Sequence, residues 1–333
     1  MNNVGIITFH NAWNNGAYLQ AYAMLNFLKD SGFDAKIVET NIKFNPFKSD
    51  SNLTNIWWRN YEQKLLSCQK YLTKSLNKES DVIIYGSDEI WNIASYGSNP
   101  IFWGYGLKAR RKIAYSPSAG GCGLLFFIKH PFKTLMVTWA INHNFISLSA
   151  RDNATKKIIN HFTNKKVKEC LDPTFLYDFS KYKGENKYGD YIVVYSYGLK
   201  KQTIEMIKDY AKKHCYKIYY TGSYCDWSEE NPILNPFEWL NLMYHAKYVF
   251  TSTFHGTVFA ILCERQFSVV DTNSNKVMDI LKKFKISDRI INGTVENIKT
   301  IDYSKVNKLK NILILNSKEY LWKNINRDIR KVK

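Results

Sequence analysis

Strand-like and helix-like segments alternate along this chain twice over, and that alternation restricts the fold more than any other feature. "VGIITF" (4–9) leads through a loop into the periodic segment "AYLQAYAMLNFLKDSG" (17–32), and "DAKIVET" (34–40) follows. Leu19, Tyr22, Ala23, Leu25 and Phe27 give the middle segment an apolar face, and Gly32 is a helix stop. This is a β-loop-α-β unit of the doubly wound kind. "DVIIYGSDEIW" (81–91), "RKIAYSPSAG" (111–120) and "FISLSARDN" (145–153) read as further strands with polar carboxyl ends.

The alternation restarts after Pro173. "DYIVVYSYG" (190–198), "CYKIYYTG" (215–222), "KYVFTSTFHG" (247–256) and "FSVVDT" (267–272) read as strands. "KQTIEMIKDYAKKH" (201–214), "NPFEWLNLMYHA" (235–246) and "TVFAILCERQ" (257–266) read as the helices between them. With 333 residues, 45% of them hydrophobic, the chain can build two medium cores. The predicted architecture is α/β, with two Rossmann-like domains at 1–170 and 171–333 and a cleft between them. The tail "SKEYLWKNINR" (317–327) is expected to be helical and to pack back on the first domain.

A formal charge of +18 favours acidic partners: nucleic acid, an anionic membrane surface or phosphorylated small molecules. The lysines are scattered and no nucleic-acid motif is present, so nucleic acid is not expected. The six cysteines form no CxxC pair or zinc spacing and read as buried apolar residues of a cytoplasmic protein. No signal peptide or membrane-spanning run is legible. "GLLFFIKHPFKTLMVTWAI" (123–141) comes closest, but Lys129, His130, Pro131 and Lys133 interrupt it. It reads as a buried helix pair around Pro131, with a surface touching the inner face of the membrane as the other reading.

Open α/β sheets bind ligands beyond the carboxyl ends of their strands. Those ends carry Asn14, Asn15 and Gly16, then Ser87 and Asp88, then Ser116 and Ser118, then Arg151 and Asp152, and last Ser252, Thr253 and His255. Each has a plain alternative. "NNG" is a common turn, Asp88 is a fitting helix cap, Arg151 and Asp152 suit an ion pair, and a lone histidine is more often structural. Their convergence on one cleft is what gives the set weight. GxGxxG, P-loop, HExxH and GxSxG motifs are missing from the sequence, which argues against a dehydrogenase, an NTPase, a zinc protease or an α/β-hydrolase.

"GIITFHNAWNNGAYLQAYAM", "DVIIYGSDEIWN", "SLSARDN", "LDPTFLYD" and "AKYVFTSTFHGTVFAILCERQF" occur in the order typical of the polysaccharide pyruvyl transferase family, and the chain resembles that family through Val270. The resemblance implies a GT-B-like pair of domains, the first binding acceptor and the second donor. It implies transfer of the pyruvyl group of phosphoenolpyruvate to a sugar or lipid-linked oligosaccharide acceptor, as a ketal. Metal and redox cofactors are not required by that scheme.

Under this resemblance His255 is the acid that protonates the donor's methylene carbon. Arg151, with Ser252, Thr253 and the N–H groups of Gly256 and Thr257, receives the donor's phosphate and carboxylate. Asn14, Asn15, Gly16, Gln20, Ser87, Asp88 and Ser116 face the acceptor. The chain departs from the family where many members have Arg two residues before the histidine, since Thr253 stands there. It departs again at Asn15, where Tyr is frequent. Either another basic residue substitutes for the missing Arg or the donor differs. Two other readings stay open: a GT-B-type nucleotide-sugar glycosyltransferase, with Glu229 or Glu230 on the ribose, and a non-catalytic scaffold of a glycan-synthesis complex.

Overall fold

The computed structural model describes residues 3–45, 48–77, 79–291, 295 and 299–326. The first half contains β1 (Asn3–Ile7), α1 (Asn15–Asp30), β2 (Asp34–Val38), α2 (Asn52–Ser67), β3 (Lys74–Ser75) and β4 (Glu79–Tyr85). It continues with β5 (Lys108–Ala114), α3 (Leu124–Lys129), α4 (Pro131–His143), β6 (Leu148–Ala150), α5 (Asn153–Phe162) and β7 (Val167–Glu169). The second half contains β8 (Tyr191–Tyr195), α6 (Lys201–His214), β9 (Lys217–Thr221), α7 (Pro236–His245), β10 (Tyr248–Thr251) and α8 (Phe254–Leu262). β11 (Phe267–Val269), α9 (Asn275–Lys283) and α10 (Tyr303–Ile325) complete it.

Every strand pairing is parallel. The central strands are apolar runs because helices cover both their faces, as in "DVIIY" and "YIVVY". The first sheet has the order β3-β2-β1-β4-β5, and a parallel bridge between Ile113 and Ser147 continues it to β6 and β7. The second has the order β9-β8-β10-β11, with single bridges extending it to Glu230 beyond β9 and to Ile290 beyond β11. Both sheets therefore reverse their strand order beside their first strand. In the first the reversal falls between β1 and β4, in the second between β8 and β10. A crevice opens at such a switch point, outside the carboxyl ends of the two strands.

The two halves share an apolar core, in which Tyr18, Tyr22 and Leu25 of α1 meet Trp239 and Leu240 of α7. Trp57 of α2 donates to the Asn231 carbonyl at 3.1 Å. α10 crosses back to the first half. Tyr320 donates to the Ala114 carbonyl and meets Ser147 Oγ at 3.1 Å, and the Leu171 N–H donates to Ser317 Oγ. Trp322 packs against Phe27 and Phe33. Arg327, the last residue of the expected tail helix, lies outside the described residues.

Two readings of the sequence need correction here. α3 and α4 do flank Pro131, but they are not buried. Val137, Ala140 and Ile141 face inward, while Leu125, Ile128, Phe132, Leu135 and Trp139 face solvent. Among the cysteines, Cys215 is exposed and Cys225 partly so, and the other four are buried. Among the described residues no helix is long and apolar enough to cross a membrane.

The link between α10 and the first half can be measured. Tyr320→Phe removes the hydroxyl that joins the last helix to Ala114 and Ser147, and it should lower unfolding stability by about 1 kcal/mol in a denaturant titration. An unchanged midpoint and slope would show that this contact contributes nothing.

Candidate functional site

Both switch points open into one cavity of about 450 Å³. The first half supplies Phe9, Ala12, Trp13 and Asn14 after β1, Phe44 and Asn45 after β2, Trp58 from α2, and Asp88, Glu89, Asn92, Ser95 and Tyr96 after β4. The second supplies Tyr195 and Tyr197 at the end of β8, Thr253, Phe254 and His255 after β10, and Lys276 at the start of α9. A larger cavity of about 1160 Å³ lies beside α6, near Lys200, Asp209 and Arg289. None of the candidate strand-end residues lines it, so size does not identify the site.

Helices α1 and α8 both start at the smaller cavity. Asn14 caps α1 by accepting from the Ala17 N–H at 2.6 Å, and Thr253 caps α8 by accepting from the Gly256 N–H at 3.0 Å. The two starts touch. A Cβ on Gly16 would lie 2.2 Å from the His255 ring, so only glycine lets the imidazole pack there. Gly86, at the end of β4, sits at φ +130°, and its Cβ would meet the Tyr115 carbonyl at 1.9 Å. The chain thus turns sharply beneath Ser87 and Asp88.

His255 rests on a buried charge cluster. Its Nε2 lies 3.7 Å from Asp172 Oδ2. Asp172 also accepts from Arg151 NH1 and Ser87 Oγ, both at 3.1 Å, and from the N–H and hydroxyl of Thr174. Burial opposes the charge of Asp172, but His255, Arg151 and the Thr174 N–H together hold its carboxyl well below the ordinary range. Arg151 is 3% exposed, meets Asp88 at 3.7 Å and lies 4.3 Å from the centre of the Phe254 ring. Burial disfavours its charge, yet Asp172 and Asp88 raise its affinity for the proton.

Several site expectations change with these positions. Arg151, expected on the donor, lies behind Phe254, with NH1 bonded to Asp172. The N–H groups of Gly256 and Thr257 are already committed, to the Thr253 hydroxyl and carbonyl. Ser252 shares a 2.7 Å hydrogen bond with Ser196. On the acceptor side only Asn14 and Asp88 line the cavity. Asn15 accepts from the Tyr61 hydroxyl. Gln20 bonds Thr8, Phe9, Ala17 and Ser87. Ser87 and Ser116 are fully buried, bonded to the Ser116 and Cys170 carbonyls respectively. None of these residues lines the cavity. Glu229 accepts from the Ile218 N–H and Glu230 continues the sheet, so neither faces the cleft.

Sequence reasoning missed Glu89, Lys276 and Asp172. Lys276 pairs with Glu89 across the cleft. Burial opposes the Glu89 charge, but Lys276, with help from Asn92, brings its pKa down to about 2. One sign of Lys276 was legible: a cation in the first turn of a helix opposes the helix dipole, so another reason must hold it there. Asp172 stood in "LDPTF", read only as a turn. The aromatic walls, formed by Trp13, Trp58, Tyr96 and Tyr197, come from four separate segments and left no local signal.

A model of the polysaccharide pyruvyl transferase family matches residues 14–274. No curated protein matches the chain. Among solved structures, the UDP-N-acetylglucosamine 2-epimerase from Rickettsia bellii is 9% identical, with a TM-score of 0.52 over 100% of this chain and 99% of that one. The UDP-GlcNAc 2-epimerase from Neisseria meningitidis bound to UDP-GlcNAc is 11% identical, at TM-score 0.48 over 98% and 95%. The heptosyltransferase of E. coli is 11% identical, at 0.40 over 80% and 88%. These are GT-B-type enzymes, and the likeness to the first bears on the fold alone: two Rossmann-like domains in a GT-B-like arrangement.

The Glu89–Lys276 pair implies a pH signature. Its carboxyl is depressed from 4.5 to about 2, so its stabilisation is complete above pH 4.5 and is lost as the pH falls toward 2. Thermal unfolding of wild type and Glu89→Gln across that window should show a stability gap that closes on acidification. A gap independent of pH would mean that the charge of Glu89 is not what holds Lys276.

Proposed function

The chain belongs to the polysaccharide pyruvyl transferase family, and from that membership we propose that it moves the pyruvyl group of phosphoenolpyruvate onto two hydroxyls of a sugar, closing a ketal. The acceptor is a cell-surface polysaccharide or its lipid-linked precursor, met at the cytoplasmic side of the membrane. One observation supports this reading most. His255 and Lys276 of the second domain line the same aromatic-walled cavity as Asp88 and Glu89 of the first, with Lys276 ion-paired to Glu89.

The chemistry follows from those placements. Phosphoenolpyruvate presents a phosphate and a carboxylate, and Lys276, which lines the cavity while paired with Glu89, is the cation where Thr253 supplies none. The starts of α1 and α8 add a favourable field for both anionic groups. His255 gives its proton to the methylene carbon, which leaves the neighbouring carbon electron-poor. A sugar hydroxyl attacks that carbon and loses its proton. Phosphate then leaves, and the second hydroxyl attacks the same carbon to close the ring. One of the two hydroxyl protons restores His255 and the other departs with phosphate. Asp172 stands 3.7 Å behind the imidazole, and Asp88 relays the protons that the attacking hydroxyls lose. Trp13, Trp58 and Tyr197 offer flat faces for the sugar ring.

His255→Gln keeps shape but cannot deliver the proton, and it should lower phosphate release from phosphoenolpyruvate in the presence of acceptor by at least about a hundredfold. Lys276→Ala should instead raise the donor KM, by roughly tenfold or more. Near-wild-type turnover in a folded His255→Gln protein would make the histidine structural. In a thermal-shift panel of phosphoenolpyruvate, UDP, CMP and phosphate, a response to UDP and none to phosphoenolpyruvate would replace this reading with nucleotide-sugar transfer.

A further inference from the structure

Helix α4 is apolar on both sides. Its inner side packs Val137, Ala140 and Ile141 into the first domain. Its outer side presents Phe132, Leu135 and Trp139 at 89%, 69% and 48% exposure, and α3 adds Leu125 and Ile128 at 72% and 75%. Helices that are apolar on more than one face are ordinarily covered on each. The other exposed large apolar side chains of the described residues include Leu53, Ile56 and Leu66 on α2 and Ile312 and Leu315 on α10, at most three to an element. Five on one helix pair form a patch of the kind that marks a docking surface.

Charge identifies what covers it. From Ile90 to Ala150 the sequence contains no aspartate or glutamate, whereas Lys129 and Lys133 stand among the exposed apolar residues and His130 joins the two helices. Lys133 reaches over the Phe126 ring, His130 stacks on the same ring, and Trp139 stacks on Tyr105. Apolar side chains interleaved with cations and edged by tryptophan fit the boundary of an anionic bilayer, where stems enter the acyl region and charges stay among headgroups. A second copy of the chain fits poorly, because its own Lys129 and Lys133 would face these with no carboxylate from the same stretch between them.

We propose that α3 and α4 dock the protein on an anionic lipid bilayer. The surface is continuous with the active cleft. The loop leading into α3 begins where Ser118 accepts from Trp91 and donates to Asp88 through the backbone, and Gly120 of that loop packs against Glu89. A protein seated on this face holds its cavity beside the membrane, where a lipid-linked sugar presents itself. The docking itself does not depend on the donor or acceptor proposed above, and it is read without either.

The test is co-sedimentation of the full chain with vesicles of phosphatidylcholine and phosphatidylglycerol in equal parts, against vesicles of phosphatidylcholine alone. Wild type should partition onto the mixed vesicles and much less onto the neutral ones. The triple variant Leu125→Ser, Phe132→Ser, Leu135→Ser keeps every charge and should lose roughly tenfold or more in partitioning at an unchanged melting temperature. The double variant Lys129→Gln, Lys133→Gln changes no apolar contact and should also weaken binding to the mixed vesicles, by a similar factor. Three results would overturn the proposal: wild type staying in the supernatant, the triple variant binding as wild type does, or a wild-type dimer that the triple variant dissolves while neither sediments. Should the triple variant fail to fold, the double variant decides alone, and unaltered binding by it would refute the proposal.

Discussion

The carboxylate of Asp172 is the point on which the two halves of this protein depend. It lies just past the last strand of the first sheet and is completely enclosed. Ser87 reaches it from the end of β4, Arg151 from the end of β6, and His255 from the start of α8. A buried charge is tolerated only when its partners surround it, and removing one partner leaves another charge stranded. The arrangement therefore fixes three strand ends from two sheets relative to one another. His255 is held in place by what lies beneath it, and Gly16 leaves it room above.

Once the strand ends are fixed, the cavity follows from topology. Two doubly wound sheets each open a crevice at their reversal point, and in this protein the crevices face each other. The first lends carboxylates and the second lends a histidine and a lysine. Segments with little sequence regularity, from α2 and from the loops after β1, β2 and β4, fill the sides with aromatic rings. The result is a site where carboxylates of the first half meet a histidine and a lysine of the second among aromatic rings.

The loop that bonds the Asp88 carbonyl through Ser118 and passes Glu89 at Gly120 runs on into the helix pair with the apolar outer face. Ser118 donates to the Asp88 carbonyl and accepts from the Trp91 N–H, and a few residues further on α3 begins at Leu124.

The sequence by itself determined the class of fold. Its alternating apolar runs and amphipathic helices cannot be buried except as parallel sheets between helices, and the restart after Pro173 set their number at two. It also determined that Asn14, Asp88, Thr253 and His255 would sit at strand ends, because strand boundaries and polar turns are local properties. Only the tertiary structure decided which strand-end residues face the cavity. Arg151, Ser87 and Ser116 stand at strand ends as Asp88 does but turn inward, since each finds a partner 21 to 85 residues away. Lys276 enters the site through a pairing with Glu89 across 187 positions of sequence. The outer face of α4 was likewise undecidable from its composition, because an apolar run reads the same whether protein or something else covers its second side.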